Sequence, residues 1–111
     1  MPTLTMRRPK AADTGIADLA KKAGEAAGLL KLLANENRLL ILCQLVLARE
    51  MSVNDLAEAV GLSQSALSQH LARMRDEGLL ATRREAQTVF YRVIDRNAAR
   101  VLTLLKDIYC P

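Results

Sequence analysis

The spacing of the apolar residues changes in the second half of the chain, and this change limits the folds it can adopt. Between residues 52 and 78, leucine, alanine and valine recur at steps of three and four, which is typical of helices that bury one face. Gly61 interrupts this pattern, and Gly78 ends it. The next segment, "LLATRREAQTVFYRVI", contains two β-favouring runs on either side of a polar stretch. We therefore predict two short helices joined by a glycine turn and followed at once by a β-hairpin.

Further helices are predicted on both sides of this segment. Apolar residues at helical spacing predict a first helix from Ile16 to Leu33, and Asn35 can cap a second helix that is apolar almost all round. Asp95 or Asn97 can cap a last helix, whose predicted apolar face consists of Val101, Leu104, Leu105 and Ile108. The expected fold class is mainly α with a β-hairpin, in the order α-α-α-α-β-β-α.

Length and charge indicate the general class of protein. The chain of 111 residues is expected to form one domain at 16–111, preceded by a flexible basic N-terminal arm at 1–15. Its longest apolar run, residues 39–43, is far shorter than the roughly 20 residues that cross a bilayer, so we expect a cytoplasmic protein with no membrane partner. The net charge of +4 suits an anionic partner.

The two central helices, from Ser52 to Asp76, fit a helix-turn-helix, and the hairpin fits the wing of a winged-helix domain. The second of these helices carries short polar side chains near its N-terminal end, where a recognition helix meets base edges: Gln64, Ser65, Ser68 and Gln69. We therefore predict that the partner is double-stranded DNA. The alternative is a helical bundle that binds another protein and whose basic surface is merely solvated.

Basic residues around this helix are candidates for phosphate contacts. They are Arg73 and Arg75 on the helix, and Arg83, Arg84 and Arg92 in the hairpin. Arg84 and Gln87 lie near the predicted tip of the wing, from which they would reach an adjacent minor groove. Leu67, Leu71 and Met74 form one apolar stripe of the same helix. The single histidine, His70, lies at the edge of this stripe, and we predict a partly buried structural or phosphate-contacting role for it, with no metal.

The chain has two cysteines, Cys43 and Cys110. With one histidine, they are too few for a disulfide scaffold or a four-ligand zinc site in one chain, which leaves inert thiols or a redox pair. Cys43 lies among apolar residues and would by itself be typical of a core position. Cys110 follows Lys106 by one helical turn and is the expected first nucleophile. No Cys-x-x-Cys or His-Asp arrangement activates either sulfur, so we expect neither an enzyme nor a cofactor.

Three segments together resemble the ArsR/SmtB family of small dimeric winged-helix repressors: "LANENRLLIL", "DLAEAVGLSQSALSQHLARMRDEGLL" and "FYRV". The resemblance extends from about residue 16 to the end of the chain. It implies a homodimer joined mainly through its first and last helices, which occupies an operator until an inducer binds.

The resemblance also bears on the inducer. Many metal-sensing members carry a Cys-x-Cys motif in the first helix of the helix-turn-helix, but the matching stretch here is "VNDLAEAV". Others use histidine and carboxylate pairs on the last helix, and "NAARVLTLLKDIYCP" has no histidine. A metal-responsive repressor is therefore the least favoured alternative.

The positions of the two cysteines are similar to those of a sulfide-responsive branch of the family, which has one cysteine in the second helix and one in a "YCP" ending. This resemblance implies that the reduced dimer binds its operator. Sulfane sulfur from persulfides or polysulfides would then link Cys43 to Cys110, release the DNA and derepress genes for sulfide detoxification. The alternative is a sensor of peroxide or another oxidant that forms a direct disulfide between the same cysteines.

Overall fold

A computed structural model describes residues 14–110, so most of the predicted N-terminal arm and Pro111 lie outside the described residues. The helices are α1 (Thr14–Leu33), α2 (Glu36–Ala48), α3 (Val53–Val60), α4 (Gln64–Asp76) and α5 (Arg96–Tyr109). The strands are β1 (Met51–Ser52), β2 (Leu80–Glu85) and β3 (Thr88–Val93). Contacts divide the chain into two units, the first ending at Leu32, and each is described separately. No helix within the described range is long and apolar enough to cross a membrane.

The first unit contains α1, which begins at Thr14, two residues before the predicted start. Residues 14 and 15 are therefore helical. Three large apolar side chains of the helix are mostly exposed: Ile16 at 66%, Leu19 at 56% and Leu30 at 57%. This helix therefore presents apolar surface over its whole length.

The four helices of the second unit begin at the polar residues that the sequence marks as caps. In each case the cap side chain accepts a hydrogen bond from the backbone N–H three residues later, at 2.9 to 3.2 Å. Such a bond satisfies one of the N–H groups that a helix start leaves unpaired. The four caps are Asn35, Ser52, Ser63 and Asp95.

Two glycines set the path of the chain around α4. Gly61, between α3 and α4, has φ +73°, and Gly78, after α4, has φ +83°. This left-handed region is open to glycine at little cost, because a side chain there would approach the backbone too closely. After Gly78 the Leu79 N–H donates to the carbonyl of Met74 at 2.9 Å, which closes the helix and starts the hairpin.

The predicted hairpin is confirmed, and a third strand joins it. β2 and β3 pair antiparallel from Leu80 opposite Val93 to Glu85 opposite Thr88, which leaves residues 86 and 87 as a two-residue turn. β1 pairs with the other edge of β3, with Met51 opposite Tyr91. The sequence does not predict this strand because two residues show no alternation, and the observed order is therefore α-α-β-α-α-β-β-α.

The core of the second unit lies between α2, α4 and α5, with additions from α3 and the start of β2. Its fully buried side chains include Ile41, Leu42, Leu45, Leu56, Leu67, Leu71, Met74 and Leu102. The predicted apolar stripe of α4 is therefore confirmed. Helix α2 is apolar almost all round, as predicted, but the unit does not bury all of it, because Leu40 and Leu47 are 48% and 58% exposed.

Helix α5 buries only part of its apolar surface within the unit. The residues of α5 that are buried within the unit are Ala98 and Leu102. Leu104 and Ile108, which the sequence places on the apolar face, are 58% and 56% exposed. The helix is apolar on more than one side, and a sequence pattern cannot tell which apolar stripe meets the core of the same chain.

Candidate DNA-binding surface and thiol groove

The outer face of α4 has the orientation that the sequence predicts. Leu67, Leu71 and Met74 are inaccessible to solvent. The predicted DNA-binding residues on the same helix are all exposed: Gln64, Ser65, Ser68, Gln69 and Arg73. The burial of one stripe fixes the rotation of the helix, and the polar side chains therefore form a continuous outer surface.

These polar side chains differ in their availability to a partner. The Gln64 amide N–H donates to the side-chain oxygen of Asn54, which ties α4 to α3. The Ser65 hydroxyl lies 3.4 Å from that of Ser63. Ser68 and Gln69 make no side-chain hydrogen bond among residues 14–110. Their donors and acceptors are therefore free to bind a ligand outside the chain.

The tip of the hairpin carries the other two predicted DNA-binding residues. Arg84 lies opposite Val89, one pair from the end of the ladder, and Gln87 is in the turn itself. Both side chains are exposed, and Arg84 forms no ion pair within the described residues. The two residues thus project from the tip of an extended hairpin, as predicted.

Arg83 differs from the other arginines of the hairpin. It donates two hydrogen bonds to the Glu50 carboxylate, at 3.0 and 2.7 Å, and its guanidinium lies 4.6 Å from the centre of the Phe90 ring. The carboxylate already balances most of its charge, so Arg83 is a weaker candidate for a phosphate contact than Arg84. The pair instead holds β2 to the segment that follows α2.

Glu50→Gln should reduce stability at neutral pH but not in acid. The hydrogen bonds from Arg83 lower the pKa of Glu50 below its ordinary value of 4.5. A lowered pKa means that the stabilisation is complete above the ordinary value and is lost as the pH falls through the lowered one. Urea unfolding of both proteins at several pH values measures this, and a constant difference at every pH would contradict the assignment.

His70 is half-buried at the edge of the stripe of α4, as the sequence predicts. Within residues 14–110, the side chains that can ligate metals do not cluster in groups of three or more. The described part of the chain therefore contains no preformed metal site that includes His70 or either cysteine.

The two cysteines lie in one groove. Helix α2 packs against α5, and beside their contact is a cavity of about 610 Å³, which we call the thiol groove. It is lined by Leu39, Leu40, Cys43, Gln44, Leu47, Leu105, Lys106, Tyr109 and Cys110. Both cysteines are free thiols; Cys43 is half-buried and Cys110 is exposed. The groove is thus mainly apolar, with one cation and two sulfurs in its wall.

The two thiols are not equivalent. Burial raises the pKa of the Cys43 thiol, and the nearby negative charge of a Cys110 thiolate raises it further. Because the thiolate is the reactive form, this raised pKa lowers the reactivity of Cys43 at neutral pH. Cys110 is accessible at the end of α5, which agrees with its predicted role as the first nucleophile.

A second cavity, of about 360 Å³, adjoins the thiol groove, since Cys43, Leu47 and Lys106 line both, and we call it the basic groove. It is lined by Cys43, Val46, Leu47, Arg49, Leu102, Thr103, Lys106 and Asp107. Arg49 was not predicted as a site residue. It follows α2 with φ +73°, and no sequence pattern indicates this conformation of a residue that is not glycine.

Comparison with known proteins identifies the family. Residues 35–82 match the family described as bacterial regulatory protein, arsR family. The transcriptional activator HlyU of Vibrio cholerae serotype O1 is 48% identical over 101 residues, which cover 91% of this chain and 93% of that protein. The HTH-type transcriptional regulator YgaV of Escherichia coli is 45% identical over 98 residues, which cover 88% and 99%.

A solved structure supports the same assignment. The crystal structure of the transcriptional repressor BigR from Xylella fastidiosa superimposes with a TM-score of 0.79 at 38% identity, and the match covers 86% of this chain and 97% of that one. The helix-turn-helix, the hairpin and the matched relatives lead to one conclusion. The chain belongs to the arsR family of bacterial regulatory proteins and is a winged-helix, DNA-binding transcriptional regulator, not an enzyme.

Proposed function

We propose that this regulator is a homodimeric repressor that binds operator DNA while Cys43 and Cys110 are reduced and is released when reactive sulfur species link them. The observation that carries this proposal is that both cysteines line one groove between α2 and α5. A link between them would tie the end of α5 to α2. Since α2 also packs against α3 and β3, a shift of α2 would reach the helix-turn-helix and the wing.

The chemistry requires an oxidising sulfur donor, and a persulfide RSSH supplies it. Cys110 attacks the outer sulfur of the donor and releases RSH, which leaves a persulfide on Cys110. Cys43 then attacks the inner sulfur of that persulfide, H₂S leaves, and a disulfide forms. In total, two protein thiols and one RSSH give the disulfide, RSH and H₂S. If a further RSSH extends the Cys110 persulfide by one sulfur before closure, the product is a trisulfide and another RSH.

Exposed apolar residues on two helices support a dimer. Leu104 and Ile108 on α5 are more than half exposed, as are Ile16, Leu19 and Leu30 on α1. A monomer in water gains nothing from exposing so many aliphatic side chains, whereas a second copy related by two-fold symmetry would bury them. Such a dimer would present two α4 helices to successive turns of the operator, about 34 Å apart.

The relatives differ in the direction of regulation that their names state, since HlyU is called an activator and BigR a repressor. We infer repression for this chain. A dimer on an operator that overlaps a promoter blocks the polymerase and needs no further contact surface, and release by an inducer then switches transcription on.

Mass spectrometry of the intact protein tests the switch. The reduced protein is treated separately with hydrogen peroxide and with a persulfide donor, and operator binding is measured on the same samples by gel shift. Loss of two hydrogens indicates a disulfide, and the further addition of sulfur atoms indicates a longer bridge. Release of the operator after the persulfide treatment supports the proposal. Release by peroxide alone would favour the oxidant sensor, and bridging without any release would refute the switch.

Arg84→Ala is expected to weaken binding to all DNA sequences to a similar degree. The residue projects from the tip of the hairpin without an internal ion pair, so its charge is available to phosphate. The dimer loses two phosphate contacts, one from each subunit, so the slope of log affinity against log salt should fall by about 2. Titrations at several salt concentrations measure this slope. Arg83→Ala is the matched control, and its slope should change less because Glu50 already pairs with Arg83.

A further inference from the structure

The basic groove contains two cations beside a sulfur that the proposed switch uses. Arg49 and Lys106 both line it with Cys43, and neither forms an ion pair in the part of the chain that the structure describes. The only acid in its lining is Asp107, which leaves a net positive charge there. Unpaired cations in a concave, partly apolar site attract small anions more strongly than the same cations on an open surface.

Lys106 connects this groove to the thiol groove, because it lines both of them together with Cys43. It lies one helical turn before Cys110 and is half-buried, so part of its side chain forms the wall that the two grooves share. A molecule with an anionic group between Arg49 and Lys106 would therefore have its other end at the opening of the thiol groove.

We propose that the basic groove binds the carboxylate of a low-molecular-weight organic persulfide and directs its sulfane sulfur towards the cysteine pair. This inference rests on the proposed function and adds the class of donor and the residues that select it. The selected donors carry a carboxylate on the organic group of RSSH; donors with a neutral or cationic organic group react without this help. In the transfer, one protein thiol and RSSH give a protein persulfide and RSH.

Three persulfides of similar size, whose organic groups differ in charge, test the proposal. They are prepared from mercaptopropionate, mercaptoethanol and cysteamine, which are anionic, neutral and cationic respectively. The rate at which the reduced protein gains sulfur is measured by mass spectrometry at low salt. The anionic donor should react about tenfold faster than the cationic one, and added salt should reduce the difference.

Charge variants locate the effect in the groove. Lys106→Gln and Arg49→Gln should each remove a large part of the preference, Lys106→Arg should keep it, and Asp107→Asn should increase it. Arg100→Gln is the matched control, because it makes the same change in net charge from an exposed position of α5 outside both grooves. An equal loss of the preference for the anionic donor in Arg100→Gln would show that net charge alone attracts the donor, and it would overturn the proposal. A double variant, Lys106→Gln with Arg49→Gln, that kept the full preference would also overturn it.

The two hypotheses can fail separately. A charge preference that depends on Lys106 and Arg49, without any bridge between the cysteines, would refute the switch and support the anion site. A bridge that forms at the same rate with all three donors would refute the anion site and support the switch. Circular dichroism and thermal unfolding of each variant establish that it is folded, and its reduced form should retain operator binding.

Discussion

Cys43→Ser and Cys110→Ser should each bind the operator as the reduced wild type does and no longer release it after treatment with a persulfide. Both sulfurs lie in the thiol groove, away from the outer face of α4, so neither substitution removes a group that faces DNA. Without a second sulfur no intramolecular bridge can form. The wild type is expected to lose affinity by about five- to 150-fold on bridging, which is the usual scale of coupling between two sites. Each variant should show no change.

Fluorescence anisotropy with labelled operator, before and after treatment, measures both affinities. Cys43 is half-buried, so Cys43→Ala is a useful second variant in case the serine hydroxyl disturbs the packing against α5. A folded variant that fails to bind in the reduced state would show that its cysteine belongs to the DNA-binding scaffold. A single-cysteine variant that still releases the operator would show that modification of one thiol is sufficient.

Gln69→Ala should relax the base preference of the regulator with little effect on its binding to unrelated DNA. Gln69 is exposed on the outer face of α4, and its amide makes no hydrogen bond in the described chain. A glutamine amide in the major groove can donate to and accept from adenine together, and such a contact is worth about 1 to 3 kcal/mol of discrimination. Competition between the operator and single-base variants of it measures this energy.

The comparison with Arg84→Ala distinguishes the two parts of the proposed interface. A base contact affects one position of the operator, whereas a phosphate contact affects every sequence alike. Gln69→Ala should also leave stability almost unchanged, because exposed substitutions away from special features usually stay within about 0.5 kcal/mol. Uniform weakening by Gln69→Ala, with a selective effect of Arg84→Ala, would show that helix and hairpin have the opposite roles.

Much of the fold follows from local chemistry. At each predicted cap, the polar side chain accepts a hydrogen bond from the backbone N–H three residues later. The glycine turns occur where only glycine has the required φ at low cost. The stripe of Leu67, Leu71 and Met74 fixes the rotation of α4 and hence the exposure of Gln69. These features depend on residues close together in the chain, and sequence patterns report on such residues directly.

Other features depend on contacts between distant segments. β1 exists because residues 51 and 52 meet the edge of β3, and Glu50 pairs with Arg83 because that sheet brings them together. The exposure of Leu104 and Ile108 reflects which side of α5 meets α2. No local sequence pattern predicts any of these features. Packing between distant segments decides where a short strand forms, which surface charges pair and which apolar face of a helix is buried.

The amino-acid sequence by itself determined the order of helices and hairpin, the outward face of α4 and the presence of two cysteines, because each of these is encoded by spacing, caps and residue type within a short segment. Only the tertiary structure decided that Cys43 and Cys110 line one groove and that Arg49 and Lys106 lie beside it. The physical reason is that the packing of α2 against α5 sets the relative position of side chains more than fifty residues apart, and no local periodicity carries that information.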